Sequence, residues 1–246
     1  MEKKLNSNKK KLEQEIYEKF IIGENVNLCI PNTFAITEDG WSKWFNKVNA
    51  LQSTQHGVFP NHQSSQLKLL ESLKEDKTKI VLLICDKKFN RAFGVISLQN
   101  IDFQKKSAEV AINIGSNDKC TFNPLSSLEA MALITSHGFK EVGLERIYAG
   151  QAYPSLSLWN KHLELIGFKT EGFESNSFVR GHDIQDTVLI AIHYNFYRKI
   201  INKRGSLWRS NEHIKNLIKL QPKKSFAEKL KIATKDLDQK HFEYLF

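Results

Sequence analysis

The chain has 246 residues, a net charge of +9 and 41% hydrophobic residues, which is enough apolar content to bury one sizeable core. Its longest apolar run covers residues 80–85, so it has the length of a buried strand and is too short to cross a bilayer. The lysine-rich start is not followed by an apolar region, and we therefore expect no secretory signal. The three cysteines and eight histidines are scattered, which predicts a cytoplasmic protein without structural disulfides and without a metal site.

Hydrophobic spacing predicts three segments, of which the first is an N-terminal helical arm over residues 1–21. Leu12, Ile16 and Phe20 recur there at every fourth position. Residues 22–200 form the second segment, in which strands first pair as a hairpin and are then separated by helices, as in a mixed α/β fold. Its strands are predicted at residues 26–30, 80–85, 92–98, 107–115, 145–151 and 186–193, and its helices from about residue 37, at residues 64–73, from residue 124 and just before Gly167.

Residues 201–246 are predicted to form a basic, helical C-terminal extension. Residues 206–246 contain nine lysines and arginines against five aspartates and glutamates. This net positive charge can attract RNA, acidic proteins or phosphates, and it does not by itself distinguish among these partners. The extension also has more large apolar residues than a solvated nucleic-acid-binding tail needs, so we expect it to dock on the body or on a second subunit with its lysines in solvent. These residues are Trp208, Ile214, Leu217, Phe226, Leu230, Phe242, Leu245 and Phe246.

A capped helix is predicted to begin at Pro124. Asn123 is a favourable N-cap, and proline is favoured at the first helical position. The unpaired N–H groups and the positive end of the helix dipole can hold a phosphate, with Lys119, Ser126 and Ser127 close by in sequence. The alternative is that this helix start, like most, binds only water.

The stretch around this helix has an informative order. It reads SAEVAINIG, then the capped helix, then ERIYAGQ, and ends in YPSLSLWNKHLELIGF. This order resembles the cofactor-binding half of the GNAT superfamily of N-acetyltransferases and is most similar to the ribosomal-protein alanine acetyltransferase-like branch. The resemblance covers about residues 22–200 and implies a GNAT-like α/β fold, with a mostly antiparallel, twisted sheet flanked by helices. It also implies acetyl-CoA as co-substrate and direct attack by a primary amine, without a covalent enzyme intermediate.

The resemblance places the cofactor on the strand at residues 107–115 and on the helix that follows. In the family the backbone of this strand pairs with the pantetheine arm of CoA, which implies contacts from Ile112, Asn113 and Ile114. The family's pyrophosphate loop has glycines where this chain has Asn123 and Leu125, so the loop is atypical. Glycines let backbone N–H groups approach a phosphate, and a proline removes one donor. We therefore expect an altered phosphate cradle built from Lys119, Asn123, Leu125, Ser126 and Ser127.

Two residues are candidates for the proton transfers. Glu109 lies on the central strand, where a carboxylate could accept the proton of the amine through one water; the alternative is a solvated glutamate on the polar face of the strand. The family often has a tyrosine that protonates the departing thiolate, but that position holds Leu163 in this chain. Tyr153 is the nearest phenol, and protonation through water is the alternative.

Four residues are candidates for binding the acceptor amine. Trp41 and Trp44 fall in the first helical region, which lines the acceptor pocket in the family, although an aromatic row at helical spacing is also typical of a core. Arg180 and His182 lie in a segment that resembles the family's last hairpin; the alternative is that they are ordinary polar turn residues. The expected acceptor is a protein N-terminus or an amino sugar.

Two other functions remain open at the level of sequence. The missing glycines and tyrosine are also expected of a non-catalytic GNAT-fold binding module. The basic ends suit a ribosome- or nucleic-acid-associated protein, but no aromatic-glycine RNA motif is present, so we expect no nucleic-acid partner. A homodimer is left open, and no membrane partner is expected.

Overall fold

The computed structural model describes residues 16–46, 59–115 and 123–245. The chain divides into two compact units, Met1–Glu145 and Arg146–Phe246. Among the described residues, no helix is long and apolar enough to span a membrane.

The first unit contains an antiparallel sheet in the order β1-β2-β3-β4-β5. Its strands are β1 (Lys19–Ile22), β2 (Val26–Cys29), β3 (Ile80–Asp86), β4 (Ala92–Asp102) and β5 (Ser107–Ile114). Its helices are α1 (Thr33–Thr37), α2 (Trp41–Trp44), α3 (Gln63–Ser72) and α4 (Pro124–Lys140).

The start of the described chain differs from the predicted helical arm. Lys19–Ile22 forms strand β1, which pairs with β2, while residues 1–15 lie outside the described residues. A tight turn decides the local structure, since Gly23 N–H donates to the carbonyl of Val26 at 3.0 Å. The ladder formed with β2 outweighs the weak helical periodicity of this segment.

The sheet of the first unit is covered on both faces. Helices α1 and α2 pack their apolar side chains against Cys29, Leu83 and Val95, which share one face of the sheet because they pair with one another across β2, β3 and β4. Helix α4 packs against β2, β4 and β5. Strand β2 is therefore buried at all four residues, which explains why its sequence does not alternate.

A buried carboxylate fixes the turn between α1 and α2. The hydroxyl of Tyr17 donates to Asp39 Oδ2, Arg91 Nε donates to Asp39 Oδ1 at 2.5 Å, and Ala92 N–H donates to Asp39 Oδ2 at 2.9 Å. Burial raises the pKa of Tyr17, so this phenol stays a hydrogen-bond donor. The network connects α1 and α2 to the β3–β4 hairpin.

The second unit contains three antiparallel strands in the order β6-β8-β7. They are β6 (Arg146–Tyr153), β7 (Lys169–Arg180) and β8 (Asp183–His193). Helix α5 (Ser157–Leu163) and a short 3₁₀ helix (Glu164–Ile166) follow β6. They end at Gly167, whose φ of +99° and close approach to Ile200 leave no room for a side chain.

Three further helices complete the second unit. They are α6 (Tyr194–Arg204), α7 (Asn211–Leu220) and α8 (Phe226–Phe242), and a 3₁₀ helix (Glu243–Leu245) follows. Ser210 caps α7, and Ser225 forms a capping box with Glu228 at the start of α8.

Among the residues predicted to dock, Ile214 on α7 is fully buried, and Ala227 on α8 is buried as well. Phe226, Phe242 and Leu245 are 52%, 44% and 59% exposed, so they are not covered by this chain, and their docking on a second subunit stays a prediction. Phe246 lies outside the described residues. The start of α8 at Ala227 therefore packs into the second unit, whereas Phe242 at its end is 44% exposed.

Candidate functional site

Strand β5 presents the predicted base. Glu109 pairs with Gln99 of β4, and the two strands stay in regular register from there to the pair of Ile114 with Gly94. The side chain of Glu109 is half-buried, and its Oε2 accepts a hydrogen bond from Asn100 Nδ2 at 3.2 Å. One amide thus orients the carboxylate while leaving it access to solvent, as proton transfer through a water requires.

The predicted pantetheine contacts lie on the same strand. Ile112 and Ile114 are half-buried, whereas Asn113 is 8% exposed and lies on the opposite face. The Nδ2 group of Asn113 has no hydrogen-bond partner among the described residues. A buried N–H donor without a hydrogen-bond partner costs free energy. The side-chain amide of Asn113 is therefore available as a donor at the end of β5.

The two predicted acceptor tryptophans lie in the core. Trp41 and Trp44 are each 1% exposed, and Trp44 Nε1 donates to the carbonyl of Asp39 at 3.1 Å. A Cβ atom on Gly115 would lie 2.3 Å from the indole of Trp44, so the chain needs a glycine where β5 ends. Their burial favours the packing alternative over direct contact with an acceptor.

Helix α4 begins as predicted, with Asn123 as N-cap and Pro124 in the first turn. Asn123 Oδ1 accepts from Leu125 N–H at 3.0 Å, and its carbonyl accepts from Ser126 N–H at 2.8 Å. Ser126 and Ser127 are buried, and the Ser127 hydroxyl has no partner among the described residues. Lys119 lies outside the described residues.

These contacts bear on phosphate binding in two ways. Pro124 has no N–H group, and the N–H groups of Leu125 and Ser126 both donate to Asn123, so none of these three positions offers an unused backbone donor. The hydroxyl of Ser127 is a replacement donor that is already desolvated. Among the described residues of this first stretch of α4, the Ser127 hydroxyl is therefore the buried side-chain donor without a partner.

Glu129, on the next turn of α4, is a residue that the sequence analysis missed. It is fully buried, and its carboxylate accepts from the N–H of Glu24, from the N–H of Asn25 at 2.8 Å and from Asn25 Nδ2 at 2.8 Å. Burial raises the pKa of Glu129, although these donors act in the opposite direction. Glu129 thereby attaches the β1–β2 turn to α4. An acidic residue inside an apolar helix pattern is the signal that could have revealed it.

Tyr153 lies at the end of β6 in the second unit, opposite Asp186 of β8. Its ring packs edge-on against Phe173 of β7, with centroids 5.1 Å apart. Burial raises the pKa of Tyr153, and the nearby carboxylate of Glu228 adds to the effect. The phenol therefore stays protonated at neutral pH, which is the state a proton donor needs.

The last two candidates lie at a hairpin tip. Strands β7 and β8 form the hairpin that the resemblance predicts, with Arg180 paired to Asp183 and Gly181 at a φ of +58°. His182 is exposed and Arg180 is half-buried. Within residues 16–46, 59–115 and 123–245, no group of three His, Cys, Asp or Glu side chains could hold a metal ion.

Comparisons with known proteins place the fold. No protein-family model matches the chain, and no curated protein matches its sequence. A spermidine N-acetyltransferase from Vibrio cholerae, solved with CoA and spermine, has a TM-score of 0.61 at 16% identity, over 72% of this chain and 99% of that one. RimJ from Mycobacterium smegmatis, solved with CoA-disulfide, has a TM-score of 0.59 at 17% identity, over 69% and 82%.

A GNAT-family acetyltransferase from Bacillus anthracis is similar to the same extent. Its TM-score is 0.58 at 21% identity, over 71% of this chain and 98% of that one. These likenesses concern the fold, because the sequence identities are low. The chain has the mixed α/β fold of GNAT acetyltransferases, which is the fold class that its sequence predicts.

Proposed function

We propose that the protein is an acetyl-CoA-dependent N-acetyltransferase, in which a primary amine directly attacks the thioester. The observation that carries the proposal is the start of α4, where the first two turns contain two buried serines. The hydroxyl of Ser127 has no partner there among the described residues, and a buried hydroxyl costs free energy unless something bonds it. A phosphate oxygen meets that need, in a chain with the fold of enzymes that were solved with CoA.

Acetyl-CoA, when bound, supplies the activated acetyl group. We assign its pantetheine arm to the backbone of Ile112, Asn113 and Ile114. We assign its phosphates to an altered cradle in which the hydroxyls of Ser126 and Ser127 replace missing backbone donors. Asn123 can release the N–H of Leu125 by rotating its side chain, and Lys119 adds a positive charge. The proposed phosphate cradle consists of Lys119, Asn123, Leu125, Ser126 and Ser127.

The proton transfers are assigned to Glu109 and Tyr153. Glu109 accepts the proton that the amine loses as it attacks, and its half-buried position next to a single amide donor supports this role. Tyr153 donates its hydroxyl proton to the departing thiolate, because burial keeps the phenol protonated. General acid–base groups of this kind contribute about 10²–10⁴ in rate.

The proposed acceptor is a protein N-terminus or an amino sugar, and the finer assignment to a ribosomal-protein alanine acetyltransferase-like branch is part of this proposal. The Vibrio cholerae neighbour was solved with spermine, a polyamine, which supports an amine in general. Arg180 and His182 are assigned to the acceptor side because they stand at an exposed hairpin tip. Trp41 and Trp44 are not assigned a contact with the acceptor, because both are buried in the core. A cytoplasmic location and a homodimer stay predictions.

Calorimetric titration with acetyl-CoA tests the cofactor, and acetylation of a panel of N-terminal peptides, amino sugars and polyamines tests the reaction. A ligand that binds only the folded state also raises the melting temperature. Glu109→Gln should lower turnover about 100-fold without changing the affinity for acetyl-CoA, whereas Glu75→Gln, at an exposed position, should change neither. The absence of binding and of a melting shift with millimolar acetyl-CoA and with longer acyl-CoAs would overturn the proposal.

One observation favours a second function, a non-catalytic binding module with the same fold. The first turn of α4 lacks a donor at Pro124 and has another occupied by Asn123, so its donors are satisfied without a ligand. In that case the wild-type protein and its Ser127→Ala variant should have the same negligible affinity for acetyl-CoA. A measurable affinity that falls in Ser127→Ala would exclude it.

A further inference from the structure

The C-terminal extension brings charged side chains to Tyr153. Lys231 on α8 forms an ion pair with Asp186, with Nζ and Oδ2 2.5 Å apart. Asp186 is the residue that faces Tyr153 across the β6–β8 ladder. The pair is partly shielded from water, since the side chains of Lys231 and Asp186 are 36% and 20% exposed. It lowers the pKa of Asp186, so this carboxylate is charged near Tyr153.

An aromatic contact joins the same groups by a second route. The Lys231 ammonium lies 5.0 Å from the centre of the Phe173 ring, within the range of a cation–π contact. The Phe173 ring also packs edge-on against the Tyr153 ring, with ring centres 5.1 Å apart and an interplanar angle of 73°. Phe173 therefore contacts both Lys231 and Tyr153.

The position of Lys231 is fixed by the start of its helix. Ser225 N–H donates to Glu228 Oε2 at 2.6 Å and Glu228 N–H donates to Ser225 Oγ at 3.1 Å, which closes the capping box. Phe226 N–H donates to Glu164 Oε1 at 2.8 Å, and Ala227 is fully buried. These contacts hold the first turn of α8 against the 3₁₀ helix that follows α5, so the backbone that carries Lys231 is fixed.

We propose that Lys231 is a positioning residue for Tyr153, and that helix α8 is part of the reaction site. The inference rests on the proposed function, in which the O–H bond of Tyr153 breaks as the S–H bond of CoA forms and the phenolate regains a proton from water. The charged groups that face Tyr153 are Asp186 on β8, Glu228 on α8 and Lys231 on α8. Both carboxylates oppose the transient phenolate, and Lys231 is the group that stabilises it.

Lys231 and Glu228 should change the pKa of Tyr153 in opposite directions. Measuring these changes distinguishes an electrostatic role of Lys231 from a merely structural one. With 3-fluorotyrosine placed at position 153, ¹⁹F NMR follows the ionisation of that phenol alone at a pH that the folded protein tolerates. Lys231→Met should raise the pKa of this phenol and Glu228→Gln should lower it, while glutamine preserves the capping box. Lys235→Met, one turn further along the same helix and exposed, is the matched control and should leave it unchanged.

Kinetics give the second readout. In acetyl transfer to the best amine of the panel, we expect Lys231→Met to lower kcat about tenfold, a part of the range for direct acid–base groups, with KM for acetyl-CoA unchanged. An unmoved phenol titration in Lys231→Met, or an unchanged kcat in an active protein, would overturn the inference alone. A wild-type protein that binds no acetyl-CoA would instead overturn the proposed function and the role of Tyr153 with it.

Discussion

Glu129→Gln should destabilise the protein strongly, although the two side chains have almost the same size. Glu129 is fully buried, and its two oxygens accept from the N–H groups of Glu24 and Asn25 and from the side-chain amide of Asn25. Glutamine replaces one acceptor by an NH₂ group, so at least one donor loses its partner and faces another donor. A buried donor left unpaired costs about 1–3 kcal/mol, and we expect a loss of about 3 kcal/mol.

Urea denaturation measures this loss as a lower midpoint with an unchanged slope. Glu141→Gln is the matched control, because Glu141 is exposed where α4 ends, and it should cost less than about 0.5 kcal/mol. If acetyl-CoA binds at the start of α4, Glu129→Gln should also weaken its binding, because the β1–β2 turn is no longer attached to this helix. A midpoint equal to that of the wild type would refute the reasoning, since it would mean that the three donors find other partners.

Three other predictions concern the first unit. Asp39→Asn removes the carboxylate charge that pairs with the partly buried guanidinium of Arg91 and should cost about 3–5 kcal/mol, measured by urea denaturation. Gly115→Ala places a methyl group against Trp44 and should lower the melting temperature and change tryptophan fluorescence. Burial lowers the pKa of His137, so its contribution to stability is present above the ordinary value of about 6.5 and is lost as pH falls through the lowered one. His137→Gln should therefore make stability less dependent on pH below about 6.5.

Local sequence patterns predict those helices and strands whose structure is determined by residues close in sequence. The β3–β4 hairpin follows from two apolar runs separated by a polar turn, and α4 follows from Asn123, Pro124 and an apolar face. Strand β1 was not predictable in this way, because its pairing with β2 depends on a turn closed at Gly23. Where a segment is short, long-range pairing decides between helix and strand.

The chemical surroundings of the candidate site were less predictable than its position. The cap at Asn123 could be inferred from the sequence, but its use of the Leu125 N–H could not. The partners of Glu129 are more than 100 residues away in sequence, and Lys231 is 45 residues from Asp186. Periodicity contains no information on which charged groups meet across such distances, so only the fold reveals them.

The position of α8 also bears on the tyrosine that the sequence lacks. The family's position falls on Leu163, which is fully buried on α5, and α8 packs directly on that helix. A tyrosine at residue 163 would need to bring a polar hydroxyl into this packed region, where it costs free energy without a partner. Tyr153, ten residues earlier in the sequence, places its phenol at the end of β6 instead. Lys231 on α8 lies near this phenol. If Tyr153 is the proton donor, α8 packs on the helix that contains Leu163 and also brings Lys231 to Asp186, the residue opposite Tyr153.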